Sequence, residues 1–260
     1  MAKICFIVGH GKSKSGGYDS GAVSKDGKYH EFKIAKEITR HAYNHFKANY
    51  GDCSIMNYEG NLYLSDRIKA ANSAGFDFVA EIHLNAGGGT GTECFYSKLS
   101  NKGKQAAISI SNSIAAAFGV RNRGAKTKTN SAGKDYFGII RQTKATAVLV
   151  ETLFIDSGDL YLLTTYEGQQ KCGAAIADGI AEALGLAKKA TAATTKPAAD
   201  SYLVRVTANS LFIRAGAGLT FGIKGYVKKN EVYTITERQG NWGKLKSGAG
   251  WISLKYTQRL

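Results

Sequence analysis

The chain has 260 residues, of which 43% are hydrophobic and 10% aromatic, as expected of a folded globular protein and not of a disordered one. The formal net charge of +15 is uneven: residues 201–260 hold ten Lys and Arg against two Asp and Glu, a net of +8, as in a module that meets a polyanion. No run approaches the roughly 18 apolar residues of a membrane-spanning helix, which excludes stable membrane insertion, and the N-terminus MAKICFIVGHGK has too short an apolar core for a secretion signal, so synthesis in the cytoplasm without an export signal is expected.

In chain order, KICFIVGH (3–10) reads as a strand buried on both faces. A Gly/Ser/Lys-rich stretch follows and has the texture of a mobile active-site loop. Glu31 opens a helix whose apolar stripe is Ile34, Ala35, Ile38, Ala42 and Phe46. A weak strand over 54–58 precedes a helix over 64–75 that Gly75 ends. The run FDFVAEIHLN (76–85) is a second buried strand, and a glycine-rich loop leads to another over 92–97. A helix over 101–118, loop and short strand over 120–143, a third buried strand TAVLVETLF (146–154) and a helix over 167–186 complete the region. The alternation predicts an α/β fold, a mostly parallel sheet flanked by helices. Residues 188–200, with the single proline Pro197, read as a low-complexity linker between a domain over 1–187 and one over 201–260. The last domain, short strands with Gly- and Asn-rich turns about every ten residues, predicts a small all-β SH3-like barrel. Cys5, Cys53, Cys94 and Cys172 show no CxxC pairing and read as reduced thiols.

Each of the three buried strands ends in a side chain suited to metal binding or proton transfer: His10, His83 and Glu151. Carboxyl ends of parallel strands share one rim, where ligands bind. With Glu31 at the start of the first helix, His10 and His83 offer three metal ligands, the number a catalytic zinc takes while leaving a position open. Glu151 ends an apolar strand, where a carboxylate is costly unless it works or is paired; it is either a general base beside zinc-activated water or the partner of a rim cation such as Arg141. A rival set, Glu37, His41 and His45 at i, i+4 and i+8, lacks the intervening Glu of HExxH and reads as a solvated helix face; His30 reads as an exposed loop end.

Beyond these patterns, residues 1–186 resemble the zinc-dependent N-acetylmuramoyl-L-alanine amidases of phage endolysins and bacterial autolysins. The resemblance is carried by GHG (9–11), DSGA (19–22), Glu31, LSDRIKAAN (64–72), EIHLNAG (81–87), GTECFY (91–96) and VLVETLFID with Asp159 (148–159). It implies one Zn2+ held by His10, Glu31 and His83, with Glu151 catalytic. Departures are IVGHGK where DPGHGG is usual, the missing Thr-Arg after the second strand, and Leu153 in place of a common Gly. Residues 202–260 resemble a bacterial SH3-like cell-wall-binding domain through SLFIRAGAG (210–218) and NWGKLKSGAGWISLKY (241–256). That likeness makes Tyr202, Tyr226, Trp242, Trp251 and Tyr256 candidate wall contacts, although each also suits a small core. The expected enzyme is a peptidoglycan hydrolase cleaving the bond from N-acetylmuramic acid to L-alanine, with peptidoglycan and anionic wall polymers as partners. As an endolysin it would reach the wall after membrane permeabilisation and lyse the host. Two alternatives stand beside it: a zinc peptidase cutting within the stem peptide, and a non-catalytic basic nucleic-acid-binding protein, for which no motif is present.

Overall fold

The structure, a computed structural model, describes residues 2–189, 201–219 and 221–260. Contacts divide the chain into two compact units, Met1–Lys189 and Ala190–Leu260. Of the expected linker, residues 190–200 lie outside the described residues.

The first unit runs β1 (Ile4–Val8), β2 (Gly11–Lys12), β3 (Tyr18–Asp19), α1 (Glu31–Asn49), β4 (Ser54–Met56), α2 (Leu64–Ala74), β5 (Phe78–Asn85), β6 (Thr92–Tyr96), α3 (Asn101–Phe118), β7 (Asn122–Lys126), α4 (Gly138–Gln142), β8 (Thr146–Phe154) and α5 (Tyr166–Ala183). Six strands form one sheet in the order β4-β1-β5-β8-β6-β7. Strands β4, β1, β5 and β8 pair in parallel. β6 pairs antiparallel with β8 and parallel with β7, so the last two strands run the other way. Side chains alternate between faces along a strand. Ile4, Phe6 and Val8 of β1, with Ala80 and Ile82 of β5, therefore join the core under α1, α3 and α5. Cys5, Ile7 and Val79 join a smaller core under α2 and α4 on the other face. All four cysteines are free.

Three local features differ from the sequence reading. Residues 138–142 form the short helix α4, which buries Ile139 and Ile140. The glycine-rich loop after β1 is organised by the β2–β3 hairpin and a bridge between Val23 and His30. His30, expected to be exposed, is half-buried where that bridge meets α1.

The second unit has β9 (Tyr202–Val206), β10 (Ser210–Arg214), β11 (Ile223–Lys228), β12 (Val232–Gln239), β13 (Trp242–Leu245), β14 (Trp251–Ser253) and β15 (Thr257–Arg259). They form a seven-stranded sheet, β11-β10-β14-β13-β12-β9-β15, antiparallel at every pairing. Its core is Val204, Val206, Leu211, Val227, Ile235, Leu245 and Ile252. Of the five candidate aromatics only Tyr202 packs against that core. Tyr226 and Tyr256 are exposed, which overturns the core reading for those two, while Trp242 and Trp251 are half-buried.

Candidate metal centre

The chain turns sharply where β1 ends. His10 has φ 59°, a left-handed conformation that is strained for a residue with a Cβ. Two buried donors hold it there: Asn57 Nδ2 donates to the carbonyls of Val8 (2.8 Å) and His10 (2.7 Å), and Arg67 Nη1 donates to the His10 carbonyl (2.8 Å). The turn aims the imidazole at Glu31. His10 Nε2 lies 3.1 Å from Glu31 Oε1, and His10 Nδ1 lies 2.9 Å from Asp19 Oδ2. Glu31, the first residue of α1, is buried; its Oε2 accepts from the Ala22 N–H (2.8 Å) and its Oε1 from the Leu84 N–H (3.1 Å). His83 points from β5 with Nδ1 2.9 Å from the same Glu31 Oε1.

Among the described residues, His10, Glu31 and His83 are the one group of such side chains whose donor atoms, all within 4.8 Å of one another, could hold a metal ion. Two imidazole nitrogens and one carboxylate oxygen, with no fourth protein donor, suit a zinc site with an open position. Two glycines make the space. A Cβ on Gly9 would sit 2.3 Å from the His83 ring, and one on Gly21 would sit 2.6 Å from the Glu31 carboxylate.

Glu151 on β8 stands directly opposite His83 on β5 and opposite Glu93 on β6. The other side of the choice left by the sequence, a salt bridge to Arg141, does not form: Arg141 donates to the Asp135 and Tyr136 carbonyls. Glu151 Oε2 is buried without a hydrogen-bond partner among the described residues. Burial, reinforced by the Glu31 and Glu93 carboxylates and opposed by the two imidazoles, pushes the Glu151 carboxyl up to about 7. Burial acts on Glu31 in the same direction, but its bonds to His10 and His83 outweigh that and hold it well below the usual carboxylate range. Burial alone would lower His83; the Glu31 and Glu81 carboxylates raise it instead.

Several participants escaped the sequence reading. Asp19 stands behind His10, Glu81 Oε2 stands 3.3 Å behind His83 Nε2, and Arg67 Nε lies 2.9 Å from Glu81 Oε1. Glu93 is anchored by Asn85 (2.8 Å), Arg123 (2.6 Å) and Lys126 (2.7 Å). Glu81 was legible in principle, because a residue two before His83 in a strand shares its face. The rival set does not converge. His41 is buried edge-on against Tyr166 of α5, centroids 4.8 Å apart, and His45 Nε2 pairs with Asp178 (2.8 Å). The solvated-face reading of that stripe is therefore corrected: α1 buries one flank against the sheet and a second against α5.

A family model described as N-acetylmuramoyl-L-alanine amidase matches residues 4–182. The chain belongs to that family. A bacterial SH3 domain model matches residues 209–258. The chain is 29% identical over 221 residues to the sporulation-specific N-acetylmuramoyl-L-alanine amidase of Bacillus subtilis (strain 168), covering 84% of this chain and 82% of the relative. It is 32% identical over 206 residues to the endolysin of Bacillus phage SPP1, covering 75% and 71%. Among solved structures, the catalytic domain of CwlV, an N-acetylmuramoyl-L-alanine amidase from Bacillus (Paenibacillus) polymyxa var. colistinus, superposes with TM-score 0.61 at 26% identity, over 72% of this chain and 99% of that one. The family membership accounts for the mostly parallel sheet with its flanking helices, and the second match for the antiparallel C-terminal unit.

In that C-terminal unit a groove of about 200 Å³ is lined by Tyr202, Arg238, Asn241, Lys255, Thr257 and Arg259, among others. The Arg259 guanidinium lies 4.1 Å from the centre of the Tyr202 ring. The two acids of residues 201–260 are engaged elsewhere: Glu231 accepts from the Lys228 N–H and the Tyr233 hydroxyl, and Glu237 pairs with Lys244. Tyr226, Trp242, Trp251 and Tyr256 do not line the groove.

Proposed function

We propose that the chain hydrolyses the amide between the lactyl group of N-acetylmuramic acid and the L-alanine of the stem peptide. His10, Glu31 and His83 would hold a zinc ion, and residues 1–187 form the catalytic domain. When bound, the ion supplies Lewis-acid polarisation of the scissile carbonyl and acidifies water. Glu151 takes the proton of the attacking water and returns it to the departing alanine nitrogen, a pair of roles suited to a carboxyl with a pKa of about 7. The anchored Glu31 and the clamped His10 turn keep the donors fixed while the substrate binds.

The observation that carries this reading is the position of Glu151: half-buried, with one oxygen buried and unpartnered among the described residues, in register with His83. Glu151→Gln keeps the shape and removes the base. It is expected to retain zinc and to lower cleavage of purified walls by about 10²- to 10⁴-fold, the usual worth of general acid–base catalysis. Full activity in that variant removes Glu151 from the mechanism. Cleavage by the native chain should free L-alanine amino termini; free amines at other stem positions instead would favour a peptidase.

The C-terminal unit serves to hold the enzyme on the wall, with the groove of Tyr202, Arg238, Lys255 and Arg259 as the seat of an anionic wall polymer. Charge complementarity supports it, since three cations line the groove and no acid does. The likeness to the phage SPP1 endolysin supports a lytic role in which the protein is made in the host cytoplasm and meets the wall once the membrane is permeabilised.

A further inference from the structure

Glu81 is a carboxylate in the middle of β5, 2% exposed, on the face that packs against α2. Arg67 reaches it from α2 and is itself 5% exposed. A buried ion pair is a poor device for stability, because desolvating both charges cancels most of their attraction, and apolar residues of the same shape often serve as well. Its value here lies in what each partner touches. Glu81 Oε1 lies 2.9 Å from Arg67 Nε and its Oε2 3.3 Å from His83 Nε2, ion-pair distances without hydrogen-bond geometry, so that Arg67 Nε, Glu81 Oε1 and His83 Nε2 are three buried polar atoms with one another as nearest charged neighbours. Arg67 extends Nη1 to the carbonyl of His10 at 2.8 Å. One buried pair therefore contacts both imidazole-bearing segments of the metal centre.

The two histidines are built alike. His10 stands between Glu31 Oε1 on Nε2 and Asp19 on Nδ1; His83 stands between Glu31 Oε1 on Nδ1 and Glu81 on Nε2. Each ring has the shared carboxylate on one side and a carboxylate of its own on the other. An outer carboxylate beside the second ring nitrogen favours the proton there and leaves the other nitrogen to the metal; Asp19 does this for His10 by a hydrogen bond at 2.9 Å, and Glu81 does it for His83 by its charge at 3.3 Å. Asp19 is half-exposed and needs no counter-charge; Glu81 is buried and needs one, which Arg67 provides.

We propose that Glu81 and Arg67 are positioning residues of the metal centre: Glu81 holds the His83 ring with its proton on Nε2 and its Nδ1 toward the metal, and Arg67 locks Glu81 while bracing the strained His10 turn. This rests on the proposed metal site. The test uses the full chain, zinc as probe, and two variants: Glu81→Gln, and the pair Glu81→Gln with Arg67→Met, which removes both charges at nearly constant shape. Zinc affinity is measured by competition with a chelator, folding by thermal melting of the metal-free proteins, and the His83 tautomer by ¹⁵N ring resonances of the zinc-loaded native chain. The native ring should carry its proton on Nε2 and the metal on Nδ1. Both variants should bind zinc about 10- to 100-fold more weakly, the usual cost of losing an outer partner, while the paired variant melts no lower than the native chain. A paired variant that folds and binds zinc as tightly as the native chain overturns the proposal, as does a native ring bound through Nε2. A native chain that does not bind zinc fails the metal reading itself and this inference with it.

Discussion

Glu37, His41 and His45 stand one helical turn apart along α1, whereas His10, Glu31 and His83 come from a turn, a helix start and a strand spread over more than seventy residues. Both sets hold two imidazoles and a carboxylate, and both sit in the first unit. In the dispersed set every donor is delivered by backbone that something else holds: the His10 turn by Asn57 and Arg67, Glu31 by the N–H groups of Ala22 and Leu84, His83 by its place in the sheet. In the regular set each side chain finds a partner of its own, Arg40 for Glu37, Tyr166 for His41 and Asp178 for His45. Even spacing along a helix gives a shared face, not a shared point. In α1 the three side chains turn to separate partners instead of to one point.

The largest expected effect separates the two sets on metal binding. His83→Ala removes a donor and should weaken zinc binding by more than the roughly 100-fold ceiling of an outer partner, with wall cleavage lost. His41→Ala should leave the zinc affinity unchanged. Chelator competition on both proteins checks this; an equal loss in the two would mean that the dispersed set is not by itself the metal site.

The sequence showed the dispersed set because a polar side chain in a strand buried on both faces is conspicuous; the expectation that these side chains end their strands is corrected, since β5 runs two residues past His83 and β8 three past Glu151. The boundaries of β8 and α3 were legible for a related reason: long periodic segments leave little ambiguity. The five residues of α4 are too few to show a period, and the polar TQR of β15 has no apolar alternation to reveal it. The reversal of β6 (TECFY) and β7 (NRGAK) was hidden, because the side-chain pattern of a strand reads the same in both directions. The burial of His41 was missed for want of one clue. Gly173 of α5 lets that helix come so close that a Cβ there would lie 2.6 Å from the His41 Cβ, and a glycine inside a helix signals such an approach only when its neighbour is known.

The comparison sharpens when the buried groups are titrated, because Glu151 and His41 are shifted in opposite directions. The Glu151 carboxyl is raised from 4.5 to about 7, so its ionised form is disfavoured in the folded chain. The unfolded state releases this proton first, and the folded state loses stability as pH rises from about 4.5 to about 7. Glu151→Gln, uncharged throughout, should therefore stabilise the metal-free protein by about 3 kcal/mol at pH 8 and by little at pH 4. Denaturant melts of both proteins at the two pH values check the difference; a stabilisation that does not grow with pH would mean that Glu151 is not raised.

His41 should show the reverse, at smaller size. Burial, with the Arg40 charge second and the Glu37 carboxylate opposing both, lowers its imidazole from 6.5 to about 4. The unfolded chain then binds the proton that the folded chain refuses, so stability is full above pH 6.5 and falls as pH drops towards about 4. At pH 5 the loss from this one ring is about 2 kcal/mol. Among the groups that face it, Glu37 is a carboxylate but is paired with Arg40 and only partly offsets the downward shift, and Tyr166 on α5 stands edge-on to the ring. His41→Leu keeps the apolar contact with Tyr166 and removes the titration. Its stability relative to the native chain should therefore improve by about 2 kcal/mol between pH 7 and pH 5. A gap that stays constant over that range would place the His41 ring in contact with water, and would return the α1 stripe to the solvated face that its sequence first suggested.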